Sequence, residues 1–269
     1  MNEIKAEKLQ FSYTAEKKIL QGIHLHLMKE STAIIGQNGA GKSTFVKLLK
    51  GLLKPTAGSI LYNGKDISGL TAATLAKDIG MVFQNPNDQI FKNKVIDEVM
   101  FGPQNIGQTE DEAQANAITA LRKVGLEHQA EQNPYDLSLS ERKMIAVASI
   151  LAMNTNVVIF DEPTMGQDYV GKQILKNIIA ELRKEGKLVL CILHDMDFAA
   201  QVFERTIVFH QGNVLLDGPT KEVFMHADIL KKAFLEQPSI IKIAKNLGID
   251  NTYLTEEELI EKLNRVVRD

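Results

Sequence analysis

The sequence predicts an α/β fold: a core built on a parallel sheet, with an N-terminal antiparallel β subdomain, an inserted helical subdomain and a C-terminal helical extension. Three observations predict it. The runs VVIF (157–160) and LVLCIL (188–193) are apolar at every position, as strands of a parallel sheet covered on both faces must be. A Gly-rich turn, GQNGAGKST, stands between a short apolar strand and a helical pattern, the strand, loop and helix order of parallel α/β units. From about Asp97 to Ala152 the apolar residues recur at helical spacing.

Taken in order, Ile4 to Tyr13 and Ile19 to Met28 alternate like half-buried strands and are joined by the polar turn Thr14 to Lys18, which predicts an antiparallel pair. Thr32 to Ile35 is a compact strand, and the helix after the Gly-rich turn repeats through Phe45, Leu48, Leu49 and Leu52. Lys54 to Gly64 reads as turns, Ile79 to Phe83 as a strand, and QNPNDQIF as the loop that follows it. The helical section is broken at Gly102-Pro103, Gly107 and Asn133-Pro134. An amphipathic helix, Val170 to Lys184, links the two apolar runs, and Thr206 to His210 with Asn213 to Leu216 form a hairpin around Gln211-Gly212. Beyond Gly218 the pattern is helical, and Thr255 with Glu258 fits a capping box. Residues 1–220 are expected to form one unit, with its helical subdomain at about 97–152, and residues 221–269 an extension for subunit contact.

The 269 residues are 44% hydrophobic and 24% charged, and 31 basic against 34 acidic residues leave a net charge of -3. That balance argues against charge-driven binding to nucleic acid or anionic lipid. The single cysteine, Cys191, excludes an internal disulfide and a thiolate metal site, and a reducing compartment is the expectation. MNEIKAEKLQ carries charges where a signal peptide needs an apolar core. The longest apolar stretch, around Met144 to Met153, is about half the roughly 20 residues of a spanning helix. The chain is therefore expected neither to cross nor to enter a membrane unaided.

Gly36 to Ser43 matches G-x-x-x-x-G-K-[ST] in the context its chemistry demands, after a strand and opening a helix. Glycines let the backbone wrap a triphosphate with its N–H groups inward, and the helix N-terminus adds partial positive charge. The candidate contacts are Gly36, Asn38, Gly39, Ala40, Gly41, Lys42, Ser43 and Thr44. Lys42 would neutralise the β- and γ-phosphates and Ser43 would ligate Mg²⁺. In VVIFDE, Asp161 ends a buried strand at the carboxyl edge of the sheet, where ligands bind, and is a second metal ligand. Strand alternation is expected to point Glu162 elsewhere, where it can polarise a water. LVLCIL ends in His194, on the same edge. From the residues alone, His194 reads as a structural histidine before it reads as a γ-phosphate contact, and Tyr13 as an ordinary strand tyrosine.

These pieces, in this order over about residues 2–220, resemble the ATPase subunits of ATP-binding cassette (ABC) transporters. GQNGAGKST is similar to the Walker A motif and VVIFDE to Walker B; Gln84 in VFQNP fits the Q-loop, Asp168 in MGQD the D-loop and His194 in LHDMDFA the switch histidine. The resemblance implies a P-loop NTPase (RecA-like) core and two ATPases closing head to tail on two ATP molecules. It implies Mg²⁺ held by Ser43, Gln84 and Asp161, Glu162 as base, His194 on the γ-phosphate and Tyr13 stacked on adenine. NPNDQIFKNKVIDEVMFGPQNIG, QPSIIKIAKNLGI and LTEEELIEKL resemble segments of energy-coupling factor transporters and of cobalt and nickel importers. The implied partners are a second, usually different ATPase, a transmembrane T component docking near Gln84 to Phe91, and a membrane S component that binds a vitamin or transition-metal ion. The implied location is the cytoplasmic face of the membrane.

One segment departs from the family. Where LSGGQ belongs, the chain reads Leu137-Ser138-Leu139-Ser140-Glu141. In the family this motif reaches the partner's ATP through the serine hydroxyl, here Ser138, and backbone N–H groups at a helix N-terminus. Leu139 and Ser140 add β-carbons there and Glu141 adds negative charge, partly offset by Arg142 and Lys143. The site made from this signature and the partner's Walker A is therefore expected to be hydrolytically weak, which favours a heterodimer. Restoring glycine at 139 and 140 and glutamine at 141 should raise turnover, unless Ser138 and the helix dipole suffice.

Other readings remain open at this level: a generic ABC transporter ATPase of another cargo class, a soluble non-transport ABC ATPase acting on ribosomes or DNA, and a nucleotide sensor. A P-loop kinase or GTPase fits less well, because Asn93-Lys94 is followed by Val95-Ile96-Asp97 and not by the x-D of a guanine reader.

Overall fold

The computed structural model describes residues 2–14, 17–249 and 253–266. β1 (Ile4–Thr14) and β2 (Lys17–Leu27) pair antiparallel, with Ile4 opposite Leu27 and Phe11 opposite Leu20. β3 (Ser31–Gly36) is buried throughout and runs through the Gly-rich turn into α1 (Lys42–Leu49). The stretch read as turns holds a strand instead. β4 (Ala57–Tyr62) pairs antiparallel with β1 and with the two-residue β5 (Lys65–Asp66). Its first residues are exposed and only Ile60 and Tyr62 are buried, too short an alternation to stand out in the sequence. α2 (Ala72–Leu75) leads to β6 (Ile79–Val82), one residue shorter than predicted.

The inserted helical section is α3 (Val95–Asn105), α4 (Glu110–Lys123) and α5 (Leu139–Met153), the last two opened by capping boxes of Thr109 with Glu112 and Ser138 with Glu141. The chain then runs through β7 (Val157–Asp161), α6 (Tyr169–Lys184), β8 (Leu188–Leu193), α7 (Met196–Val202) and the hairpin β9 (Arg205–His210) and β10 (Asn213–Pro219). Four helices follow: α8 (Thr220–Met225), α9 (Ala227–Lys232), α10 (Ser239–Asn246) and α11 (Glu256–Val266). Before α11, Thr255 Oγ1 accepts from Glu258 N as expected, but the Glu258 carboxylate accepts from Leu254 N, one residue earlier than a capping box would have it.

Six strands form one sheet in the order β10-β9-β3-β8-β7-β6, parallel apart from the β9–β10 hairpin, and the other four form the antiparallel sheet β2-β1-β4-β5. Successive residues of the parallel strands feed two different cores. Ile34, Ile159, Leu190 and Phe209 pack with the antiparallel sheet and α1, whereas Ile35, Phe160, Val189 and Cys191 pack with α5, α6 and the C-terminal helices. Both faces are apolar, so period-2 alternation vanishes from these strands. Burial raises the Cys191 thiol well above its ordinary range, which keeps it protonated and unreactive. No helix among the described residues is long and apolar enough to cross a membrane. The loops after β3, β6, β7 and β8 all leave the same carboxyl edge of the sheet.

Candidate nucleotide-binding site

The Gly-rich loop has its shape because two of its glycines cannot be replaced. Gly36 has φ 154°, and a Cβ there would lie 2.3 Å from Phe209 O; Gly41 has φ 103°, and its Cβ would lie 2.7 Å from Leu20 Cδ2. Gly41 also N-caps α1, so the loop turns directly into the helix N-terminus. Lys42 is 5% exposed and donates to Gly36 O (2.6 Å) and Gln37 O (3.1 Å), folded back into its own loop. Burial lowers its pKa, and the carboxylates of Glu162 and Asp161 partly oppose this.

Ser43 Oγ donates to Asp161 Oδ1 at 3.3 Å. Burial raises the Asp161 carboxyl above its usual range, opposed by that hydrogen bond. Two hard oxygen donors beside a phosphate-binding loop fit Mg²⁺, which takes one or two protein ligands and fills its other positions with phosphate oxygens and water.

Glu162 follows the end of β7 with φ 53°, a left-handed conformation. The divergence from Asp161 therefore comes from this turn and not from strand alternation, which stops one residue earlier. Its N–H donates to Ile192 O (3.1 Å). Its Oε2 accepts from Gln84 Nε2 at 2.8 Å, and its Oε1 lies 2.9 Å from His194 Nε2. Three loops thus converge on one carboxylate. Gln84 reaches Glu162 here and not Ser43 or Asp161, although it lines the same cavity.

That cavity, of about 440 Å³, is bounded by Tyr13, Lys17, the backbone from Asn38 to Thr44, Gln84 and Glu162. A second, of about 470 Å³, shares Asn38, Gln84 and Glu162 and adds Thr164, Met165, His194 and Asp195. Tyr13 is 60% exposed, with its hydroxyl 3.4 Å from Thr44 Oγ1 and its ring edge-on to Phe11. Sequence reasoning missed Lys17, an exposed strand lysine that no motif marks.

Ser138 and Asp168 line neither of these cavities. Ser138 accepts from Glu141 N at 3.3 Å, and the Glu141 carboxylate accepts from Ser138 N (2.9 Å), Ser138 Oγ (2.7 Å) and Gln129 Nε2 (2.9 Å). These bonds, Gln129 foremost, hold the Glu141 carboxyl below its usual range. Asp168 caps α6 by accepting from Gly171 N at 2.8 Å. Its neighbour Gln167 exchanges two bonds with Ser140: Ser140 Oγ donates to Gln167 Oε1 (2.8 Å) and Gln167 Nε2 donates to Ser140 O (3.1 Å). Of the three residues that depart from the signature, Ser140 and Glu141 are thus engaged within the chain, whereas Leu139 is exposed.

The profile of the ABC transporter family matches residues 20–165. A putative ABC transporter ATP-binding protein of Pyrococcus furiosus is 40% identical over 256 residues, 95% of this chain and 98% of the relative. The energy-coupling factor transporter ATP-binding protein of Methanocaldococcus jannaschii is 35% identical over 248 residues, 91% of this chain and 89% of the relative. A solved structure from Clostridium perfringens, part of the ABC transporter complex cbiONQ, superposes with a TM-score of 0.76 at 34% identity, over 91% of this chain and 98% of that one.

Proposed function

The chain belongs to the ABC transporter family as an ATPase subunit, and from that premise we propose that it powers an energy-coupling-factor-type importer of a vitamin or a transition-metal ion, as one half of an ATPase heterodimer. The observation that carries the catalytic part is the convergence of Gln84 and His194 on the Glu162 carboxylate, beside a complete phosphate-binding loop. Lys42 exchanges its two carbonyl partners for the β- and γ-phosphates. Ser43, Asp161 and Gln84 would hold Mg²⁺, which would supply positive charge against the phosphate oxygens. Glu162, released by Gln84, accepts the proton of the attacking water, and His194 turns from Glu162 to the γ-phosphate. Tyr13, at the cavity mouth, stacks on adenine. Positioned charge supplies most of the rate. Glu162→Gln should lower hydrolysis by at least about a hundredfold and abolish transport while ATP binding is kept. Unchanged transport would overturn the enzyme reading in favour of a nucleotide sensor.

The energy-coupling-factor assignment is supported by the Methanocaldococcus relative and the cbiONQ neighbour. Residues 1–220 act as the ATPase unit, with the helical subdomain at about 97–152. The T component docks on that subdomain next to the Q-loop, where Phe83, Phe91, Phe101 and Met153 line an apolar cavity of about 220 Å³. Lys92 lies 4.9 Å from the Phe101 ring centre and 5.3 Å from that of Phe91. This groove attaches the chain to the cytoplasmic face of the membrane, and the S component selects the cargo. The extension at 221–269 serves subunit contact, with Ile243 and Leu247 exposed on and just after α10. A heterodimer is favoured because the altered signature weakens one composite ATP site, and a homodimer would carry the weakness twice.

A further inference from the structure

We propose that Lys143 is a positioning residue for Glu162: it grips, from inside the protein, the backbone turn that aims this carboxylate into the nucleotide cavity. The proposal rests on the reading of Glu162 as the base. Lys143 lies on α5 among Met144, Ile145, Ala146 and Val147 and is 4% exposed, yet its Nζ donates to Glu162 O at 3.2 Å. No carboxylate among the described residues lies within ion-pairing distance of it. Burying an ammonium on those terms costs stability, and burial accordingly lowers its pKa, opposed by the nearby charges of Glu162 and Asp161.

The carbonyl it holds belongs to a residue that needs holding. Glu162 has φ 53°, a left-handed conformation that is unfavourable for a non-glycine residue and persists only where its surroundings enforce it. Among the described residues the one other donor to Glu162 O is Met165 N, at a long 3.4 Å. One helical turn before Lys143, on the same face of α5, Ser140 exchanges its two hydrogen bonds with Gln167. The start of α5 therefore grips the loop 162–167 at both ends, Lys143 at its first residue and Ser140 at its last. The same helix start carries Ser138 and Leu139, so the segment that would face a partner's nucleotide is joined through two side chains to this chain's own base.

The test is ATP turnover by the assembled transporter carrying Lys143→Met, Lys143→Arg or Glu162→Gln, with equilibrium affinity for a non-hydrolysable ATP analogue and melting temperature measured on each. Lys143→Met should lower kcat about ten- to a hundredfold, the scale of an ångström-sized misplacement, with KM and analogue affinity within about twofold, and Lys143→Arg, which keeps a donor, should recover most of the loss. If Lys143→Met fails to fold, Ser140→Ala with Gln167→Leu opens the other end of the loop without stranding a buried charge, and the same split is expected. A kcat within about twofold of wild type in the folded variant overturns the proposal, as does a parallel loss of kcat, affinity and melting temperature. If Glu162→Gln itself leaves turnover intact, the base assignment fails first, and that outcome is distinct from a silent Lys143→Met beside an inactive Glu162→Gln.

Discussion

Glu141 brings to the signature segment a negative charge that the folded chain binds three times over. Its carboxylate accepts from both groups of Ser138 and from Gln129, and a hydrogen bond to an ionised acceptor is stronger than a neutral one. In the proposed dimer the cost to a partner's nucleotide would be twofold: the charge itself, and a Ser138 hydroxyl that already has an acceptor and must be released before it can serve a phosphate. Ser140, by contrast, is bound to Gln167, and changing it would disturb the loop that carries Glu162. The informative variant thus leaves Ser140 in place. Leu139→Gly with Glu141→Gln should raise ATP turnover of the assembled complex severalfold, since glutamine can still close the capping box while the charge and the bulky side chain are gone. Unchanged turnover would contradict a weak composite site.

At the scale of elements, α1 is only 8 residues long, too short to persist alone, so tertiary contacts must hold the helix into which the phosphate loop runs. Lys50, at its C-terminal cap, donates to Ile79 O (2.6 Å) at the start of β6 and to Ala72 O (3.3 Å) in α2. Burial pushes its ammonium down to about 8 from an ordinary 10.5. Between these values the unfolded chain holds a proton that the folded chain has released, so stability rises with pH across the window and the full penalty is present below it. Denaturant titrations from pH 7 to 10.5 should show wild type gaining up to about 3 kcal/mol relative to Lys50→Met. Parallel pH profiles for the two proteins would show that the carbonyl bonds cancel the burial penalty.

Over the whole molecule, the C-terminal helices are part of the main core. Phe224, Leu230, Ala233, Ile240, Ile241, Ala244 and Leu259 belong to the same buried cluster as Phe198 and Phe203. Asp197 also clasps α10 to α7, accepting from Ser239 N (2.6 Å) and Ser239 Oγ (2.8 Å), three residues beyond His194. Deleting 221–269 would uncover this apolar surface, and each large side chain left exposed forfeits about 1.5–3 kcal/mol. The truncated chain should aggregate at concentrations where the full chain elutes as a sharp species in size-exclusion chromatography. A truncated chain that stays dispersed with an unchanged melting temperature would show the extension to be an appendage.

Much of this protein was legible in its residues alone because the chemistry of a phosphate loop is local. GQNGAGKST places backbone N–H groups, Lys42 and Ser43 within one contiguous turn, and apolar runs ending in Asp161 and His194 declare strands that open on one sheet edge. What lay beyond the sequence depends on approach between distant segments. Gln84 and Glu162, which meet at 2.8 Å, are 78 positions apart, and Glu162 and His194 are 32 apart. β4 is a strand because β1 offers it a ladder, not because its own pattern demands one. Ser140 with Gln167 and Lys143 with Glu162 look, in the sequence, like a damaged motif and a surface charge. Only folding brings their donors and acceptors within bonding distance, because a hydrogen bond is specified by position in space and a linear pattern records position along the chain.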